Sequence, residues 1–289
     1  MLFSKRKISG ERVILSLQRT VCYLVLLFLT VLCLFSFYIL IVNATRAHPD
    51  IMKGFTLLPG KSFLTNWKNL MANQNLPVLQ GIGNSLFISA CSALLSTYFS
   101  ALAAFGIHAY NFKFRNAAFT FILLIMMVPS QVSTLGLIRL MGQWNLMDTF
   151  VPLILPSIAS ASVFFFMKQY LESMLPIEIV ESARIDGASE FRTFNSIVLP
   201  IMKPALAVQA IFSFVNAWNN YFLPSLIITS KEKKTLPILI AQLRSADFLK
   251  FDLGQVYMLI AVAIIPVLIM YLFLSRYIVR GITLGSVKG

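Results

Sequence analysis

The chain alternates between long apolar runs and shorter polar connections. Six of the runs reach the length of roughly 20 residues that a helix needs to cross a bilayer. They lie at about 21–42, 82–108, 117–141, 150–171, 204–228 and 256–279. The pattern predicts an all-α membrane protein with six spans in a single transmembrane domain over residues 21–279.

The polar connections predict how the spans are oriented. Residues 1–20 are rich in Lys and Arg, so they are expected in the cytoplasm, and the tail at 280–289 then lies there as well. The first run is too long for the core of a signal peptide, which predicts an uncleaved span. The two longest connections are residues 43–81, predicted to be external, and residues 172–203, predicted to be cytoplasmic.

The cytoplasmic connection has the pattern of two short helices joined by a turn. Pro176 stands where a first helical turn can begin without losing a hydrogen bond. Gly187 allows the tight turn that ends this helix, and a second helix is predicted to begin near Ser189. Its apolar residues follow three-and-four spacing and predict one exposed apolar ridge: Phe191, Phe194, Ile197 and Val198. Pro200 and Pro204 are expected to close it.

The same stretch resembles the EAA loop of binding-protein-dependent ABC importer permeases. The family pattern is E-A-A, three residues, G, and then I-x-L-P after about nine more. The matching positions are Glu181, Ala183, Gly187, Ile197, Leu199 and Pro200. Ser182 departs from the pattern, although it replaces an alanine with another small residue. The segment Asp186-Gly187-Ala188 and the tail from Gly281 to Gly289 are similar to the second permease of maltose-type sugar importers.

The resemblance implies a six-transmembrane-helix permease with a cytoplasmic EAA coupling helix, in a bacterial cytoplasmic membrane. Expected partners are a homologous second permease, two copies of a cytoplasmic ATPase, and an extracellular solute-binding protein that delivers a sugar, by preference an oligosaccharide. ATP and Mg²⁺ would bind to the ATPase, so this chain itself would hold no cofactor and catalyse no reaction. The residues implied in ATPase coupling are Glu181, Ser182, Ala183, Asp186, Gly187, Ala188, Phe191, Phe194, Leu199 and Pro200.

Composition and charge are in line with a membrane protein. Hydrophobic residues make up 58% of the chain and charged residues 12%, and the mean hydropathy is +0.79. The net charge of +13 would be compatible with binding to nucleic acid. Because the basic residues are scattered between apolar runs, membrane lipid headgroups are the better explanation and no nucleic acid partner is expected.

Neutral polar residues inside the runs are candidates for a substrate path. Amides beside aromatic rings suit a sugar, because hydroxyls bond to amides and the apolar face of a sugar stacks on an aromatic ring. The candidates are Asn84, Gln131, Ser133, Asn216, Trp218, Asn219, Asn220 and Tyr221. Packing between membrane helices explains the same residue types and stays open as an alternative.

Groups for catalysis or ion coupling are missing from the pattern. His48 and His108 lack partner motifs, so neither a metal nor a catalytic site is predicted. Asp and Glu avoid the predicted spans, and Arg139 and Lys168 lie near span ends, where snorkelling accounts for them. A permease driven by a separate ATPase needs no such groups. The alternative is a sugar facilitator or channel that works without ATP.

Overall fold

The structure is a computed structural model that describes residues 2–73, 75–245 and 252–285, and it gives side chains for 15–73, 75–245 and 252–275. Within these ranges every regular element is helical. The α-helices are α1 Leu2–Ala44, α2 His48–Met52, α3 Phe63–Ala72, α4 Val78–Ala109, α5 Arg115–Ile125, α6 Ser130–Gln143, α7 Val151–Ile154, α8 Ala161–Met174, α9 Ile177–Ile185, α10 Glu190–Thr193, α11 Leu199–Ile201, α12 Lys203–Trp218, α13 Phe222–Ile227, α14 Leu236–Arg244 and α15 Leu253–Gly285. Two 3₁₀ helices at Leu155–Ala159 and Lys231–Lys233 and a π-helical turn at Phe194–Val198 complete the set.

Four helical segments in the described ranges are long and apolar enough to cross a membrane. They are Leu15–Ala44, Val78–Ala109, Val151–Met174 and Leu253–Ser275. Two bent pairs add to these, one made of α5 and α6 and the other of Glu190–Ile201 and α12. The number of candidate spans is therefore up to six when each bent pair is counted as one, as the hydropathy pattern predicts.

The third and fifth apolar runs, each predicted to form one span, are divided between two helices. α5 and α6 meet at an angle of 95° beside Pro129, which has no N–H to donate and disfavours helical backbone at the residue before it. In the fifth run, α12 ends at Trp218 and α13 begins at Phe222. The single-domain boundaries drawn from the sequence stay a prediction.

The helix that begins after Ser189 ends close to two prolines. Pro200 lies inside α11, and Pro204 occupies the first turn of α12, where its missing N–H costs no hydrogen bond. The π-helical turn at Phe194–Val198 precedes Pro200, and the chain then bends by 82° at Met202. The helix therefore ends at Ile201, between the two prolines, as the sequence predicts.

One compact unit consists of residues 1–72 and 250–261. Its connection after α1 is organised around two buried polar side chains. The guanidinium of Arg46 donates to Asn43 Oδ1 at 3.1 Å and to the carbonyl oxygen of Gly54 at 3.0 Å. Asn66 donates through Nδ2 to the carbonyl oxygens of Ala44 and Arg46 at 2.9 and 2.8 Å. These bonds satisfy backbone groups that no helix pairs, so they order the predicted external loop.

The second unit consists of residues 73–249 and 262–289, and α4 lies at its centre. α4 packs against α8, α12 and α14. Ala101 and Ala104 are fully buried, and such small residues let membrane helices approach closely. Phe105, Met167 and Phe194 fill the space around them, so the apolar core of this unit is built on one face of α4.

A carboxylate joins two loops at one end of this unit. Asp148 accepts hydrogen bonds from the backbone N–H groups of Thr229 and Ser230, both at 2.9 Å, and from the Ser230 hydroxyl. Lys233 donates through Nζ to the same carboxylate at 3.1 Å. The Ser230 hydroxyl, and then the two backbone donors, hold the pKa of Asp148 well below its usual range. The loop before α7 is thereby attached to the loop after α13.

Replacing Asp148 tests this attachment. In Asp148→Ala, the amides of Thr229 and Ser230 lose their acceptor, so their hydrogen exchange should accelerate by about an order of magnitude. Asp148→Asn keeps one acceptor oxygen and should retain most of the protection. Because the folded pKa is lowered, the contribution is present above the ordinary aspartate value and is lost as the pH falls through the lowered pKa. Equal exchange in wild type and Asp148→Ala near neutral pH would contradict this attachment.

Candidate functional site

The first candidate site is the elbow, defined here as Ile177–Ile201, in which α9 and α10 are joined by a turn at Gly187. Gly187 has a φ of +75°, a conformation that side chains with a Cβ rarely adopt. Its N–H donates to Arg184 O and the Ala188 N–H donates to Ala183 O, both at 3.0 Å. This pair of bonds closes α9 with a Schellman motif. Ser189 then caps the next helix by accepting from the Arg192 N–H at 3.4 Å.

Arg184, on α9, bonds to Glu190, on α10, and so joins the two helices of the elbow. Its Nε donates to Glu190 Oε1 at 2.7 Å and its Nη2 donates to Oε2 at 3.3 Å, which makes a bidentate pair across the Gly187 turn. The Arg184 hydrogen bond, followed by the Tyr110 hydroxyl, lowers the pKa of Glu190. Arg184 was not predicted from the sequence, although an arginine and a glutamate on opposite sides of a turn glycine are a readable signal.

The elbow is also attached to the carboxyl end of α4. Arg184 lies 5.1 Å from the centre of the Tyr110 ring and donates to Ala109 O at 3.4 Å. Burial, and then the neighbouring Glu190 carboxylate, raise the pKa of Tyr110. His108 Nε2 lies 3.0 Å from Leu175 O, just before the elbow begins. We call this set of contacts, made by His108, Ala109 and Tyr110 with Leu175, Arg184 and Glu190, the α4 clamp.

The predicted coupling residues divide into an outward and an inward group. Those that are exposed are Glu181, Ser182, Asp186, Gly187, Phe191 and Pro200. Ala183 and Phe194 are buried, while Ala188 and Leu199 are half-buried. Ile185 is the most exposed apolar side chain of the elbow, at 86%, and it escaped the sequence analysis.

Phe191 and Phe194 do not share one docking ridge, contrary to the helical pattern. Phe191 is 66% exposed, whereas Phe194 is completely buried. The ring of Phe194 packs 5.7 Å from that of Tyr98 and 5.6 Å from that of Phe105, measured between centroids, so it belongs to the core on α4. The exposed apolar surface of the elbow is formed instead by Ile179, Ile185 and Phe191.

The second candidate site is a cavity of about 1240 Å³ that α4, α8, α12 and the segments beside them surround. Its polar lining residues are Ser92, Ser96, Ser130, Ser157, Ser160, Ser162, Gln209, Ser213, Asn216, Asn219, Asn220 and Tyr221. Aromatic rings from Phe166, Phe212 and Phe222 face the same space. None of the described residues that line it is charged.

Four of the eight residues predicted to form a substrate path line this cavity. Asn216, Asn219, Asn220 and Tyr221 line it. Gln131 and Ser133 do not, although their neighbour Ser130 does. The structure thus brings the end of the fifth apolar run to the cavity.

Asn84 and Trp218 make structural contacts elsewhere. Asn84 donates through Nδ2 to the carbonyl oxygens of Glu232 and Lys234, at 2.7 and 3.0 Å. Trp218 is 2% exposed, and its Nε1 donates to Ala263 O at 3.2 Å. Both side chains therefore hold neighbouring segments in place, which is the packing alternative that the sequence left open.

Eight polar residues of the cavity were not predicted from the sequence, namely Ser92, Ser96, Ser130, Ser157, Ser160, Ser162, Gln209 and Ser213. Gln209, Ser213 and Asn216 follow four-and-three spacing, which places them on one face of α12. Ser92 is 3% exposed and its hydroxyl has no hydrogen-bonding partner in the described protein. A signal was present, because serines recur every three or four residues along α4 inside an apolar run.

The sequence suggested that Lys168 snorkels towards the membrane surface, but the structure shows that it does not. It is buried on α8, where it pairs with Glu172 one turn later. Its ammonium also lies 4.2 Å from the centre of the Phe119 ring on α5. Its partner Glu172 lies just beyond the predicted span 150–171, in the last turn of the helical segment Val151–Met174.

The comparisons with known proteins agree with this fold. The chain is 34% identical over 279 residues to the arabinooligosaccharides transport system permease protein AraQ of Bacillus subtilis (strain 168), covering 95% of this chain and 97% of that protein. It is 31% identical over 266 residues to the lactose transport system permease protein LacG of Rhizobium radiobacter, covering 92% and 95%. A solved bacterial ABC transporter involved in the import of the acidic polysaccharide alginate has the same fold, with a TM-score of 0.77 at 19% identity and coverage of 89% and 95%.

The family match spans most of the chain. Residues 96–284 match the binding-protein-dependent transport system inner membrane component family. This range includes α8, the elbow, α12 and the cavity residues of those helices. The prediction of an all-α importer permease is confirmed. The chain belongs to the inner membrane components of binding-protein-dependent transport systems, and it is a permease subunit of an ABC importer.

Proposed function

We propose that this permease carries a neutral sugar, with an oligosaccharide as the preferred substrate. The observation that carries the proposal is the uncharged polar lining of the cavity. Serine hydroxyls and the amides of Gln209 and Asn216 suit sugar hydroxyls, and the aromatic rings suit the apolar faces of sugars. An anionic substrate would find no opposite charge on the described lining residues.

The size of the cavity and the relatives support an oligosaccharide. At about 1240 Å³ it exceeds the usual range for small-ligand pockets, which ends near roughly 1,000 Å³. Two relatives are named for sugars larger than one ring, arabinooligosaccharides and lactose. A homologous second permease would complete the path, and an extracellular solute-binding protein would deliver the sugar to it.

We further propose that the elbow couples transport to ATP hydrolysis. Two copies of a cytoplasmic ATPase, which bind ATP and Mg²⁺, would each dock on one permease. On this chain the docking surface would combine Ile185 and Phe191 with the exposed Glu181 and Asp186. In this arrangement the elbow and both chain termini face the cytoplasm.

The α4 clamp supplies a mechanical route from the elbow to the cavity. α4 is held by the elbow at its carboxyl end, and the same helix contributes Ser92 and Ser96 to the cavity lining. A displacement of the elbow would therefore move α4 as a rigid element, since its buried face is closely packed. The proposal requires no ionisable relay in the membrane.

ATPase activity of the importer in lipid tests the coupled function. With the subunits that co-purify, a sugar-loaded binding protein should stimulate hydrolysis, and Gly187→Pro should abolish the stimulation, because proline cannot adopt a φ of +75°. Gly142→Ala is the control, since nothing lies within 4 Å of its added Cβ. Sugar uptake by this chain without an ATPase would instead establish a facilitator.

The Arg184–Glu190 pair should set the efficiency of coupling. Arg184→Gln and Glu190→Gln should each lower the sugar transported per ATP hydrolysed several-fold, and the double variant should lose little more, because the two residues act as one unit. Because Glu190 has a lowered pKa, its pairing is complete above the ordinary glutamate value and is lost only as the pH falls through the lowered pKa. Coupling should therefore be constant between about pH 6 and pH 8.

Arg192→Gln is the matched control for this pair. It removes the same charge from an exposed position on the same elbow. Transport and hydrolysis measured together in proteoliposomes give the ratio directly. A loss in Arg192→Gln equal to that in Arg184→Gln would show that net charge, and not the α4 clamp, is responsible.

Cavity variants should separate substrate contact from packing. Gln209→Leu and Asn216→Leu should raise the KM for sugar uptake by about tenfold each, because a hydroxyl would face an apolar side chain. Trp218→Phe should leave the KM unchanged and lower the melting temperature, since it removes the bond to Ala263 while keeping a ring beside Phe214. A KM effect confined to Trp218→Phe would reverse these assignments.

A further inference from the structure

A second, smaller space lies on another side of α4. It is an open groove of about 410 Å³ between α4, α12 and α15. Leucine and alanine side chains form most of its walls, including Leu94, Leu206 and Leu274. Unlike the polar cavity, the groove has few groups that could form hydrogen bonds with a sugar. Its apolar walls suit a hydrocarbon chain.

Lys203 places a single positive charge in this apolar setting. It is the first residue of α12, it lines the groove, and it is exposed. Among the described residues it has neither an ion-pair nor a hydrogen-bonding partner. The two polar residues beside it are already bonded, since the Tyr98 hydroxyl donates to Asn195 Oδ1 at 3.2 Å and Thr97 to Ala93 O at 2.7 Å.

An apolar groove with one unpaired cation is complementary to one class of molecule. α4 and α15 are candidate spans and α12 belongs to a bent one, so the walls of the groove come from segments that are apolar enough to cross a membrane. We propose that the groove binds an anionic phospholipid, whose acyl chain lies along the leucines while its phosphate pairs with Lys203. The negative surface of a cytoplasmic leaflet supplies such lipids at the level of basic side chains.

The position of the groove gives the lipid a structural consequence. Lys203 follows directly on Met202, where the chain bends by 82° between the elbow and α12. Leu199, on the elbow side of the bend, lines the same groove as Ala207 on the α12 side. A bound lipid would contact both arms of this joint, so occupancy would stabilise one bend angle. The inference concerns lipid binding and holds whichever substrate the cavity takes.

Photo-crosslinking tests the site in the assembled importer. The importer is purified with its co-purifying subunits, placed in phosphatidylcholine nanodiscs, and supplied with phosphatidylglycerol that carries a photoactivatable acyl chain. Labelled peptides should map to residues 94–98 of α4 and 203–210 of α12. Lys203→Gln should reduce this labelling about fivefold, the effect of one basic residue near an anionic lipid surface. Lys203→Arg should restore it, and Lys113→Gln, which removes the charge of another exposed lysine, should leave it unchanged.

A second variant tests the chain-binding part of the site. Ala210→Trp fills the groove and should abolish labelling while Lys203 remains in place. Melting temperatures identify any variant that fails to fold.

Three outcomes would overturn the proposal. Equal labelling by a photoactivatable phosphatidylcholine would remove the role of the anionic headgroup. Displacement of the phosphatidylglycerol by millimolar inorganic phosphate alone would indicate a simple anion site without chain contact. A groove protected from both lipids by a second permease subunit would show that protein covers this face. Because labelling requires neither sugar nor ATP, its failure is distinguishable from failure of the proposed transport function.

Discussion

The attachment of the elbow to the last turn of α4 is the constraint on which the rest of this unit depends. Arg184 bonds simultaneously to Glu190, to Ala109 O and to the Tyr110 ring face, so three chain segments meet at one guanidinium. A planar group with five donors suits such a junction, whereas a lysine would satisfy one contact at a time. The elbow is thus fixed to the helix that also lines the cavity.

Neutral polar groups let α4 serve two functions inside a membrane. Its serines are small enough for close packing against α12 and α8, yet they present hydroxyls where the helices separate around the cavity. A serine buried without a partner, such as Ser92, costs far less than a buried charge. The charge in α8 is tolerated because Lys168 and Glu172 neutralise each other beside Phe119.

The elbow shows how far local sequence rules reach. Its turn and its cap follow from Gly187 and Ser189, since a left-handed residue and a side-chain acceptor are local requirements. Which of its apolar residues face outward does not follow, because Phe194 is drawn into a core built by α4 some ninety residues earlier. The helical period assigns Phe191 and Phe194 to one face. It does not tell which of the two side chains packs against another helix.

The sequence by itself determined the class of the protein, the approximate positions of the apolar runs and the location of the elbow. Hydropathy, proline and glycine act over a few residues, and the bilayer requires helices of a minimum length. Only the tertiary structure decided which polar residues meet. It brought Gln209 and Asn216 to a cavity with Ser92 and assigned Trp218 and Asn84 to packing. These contacts join segments far apart in the chain, so their geometry depends on how whole helices pack and bend.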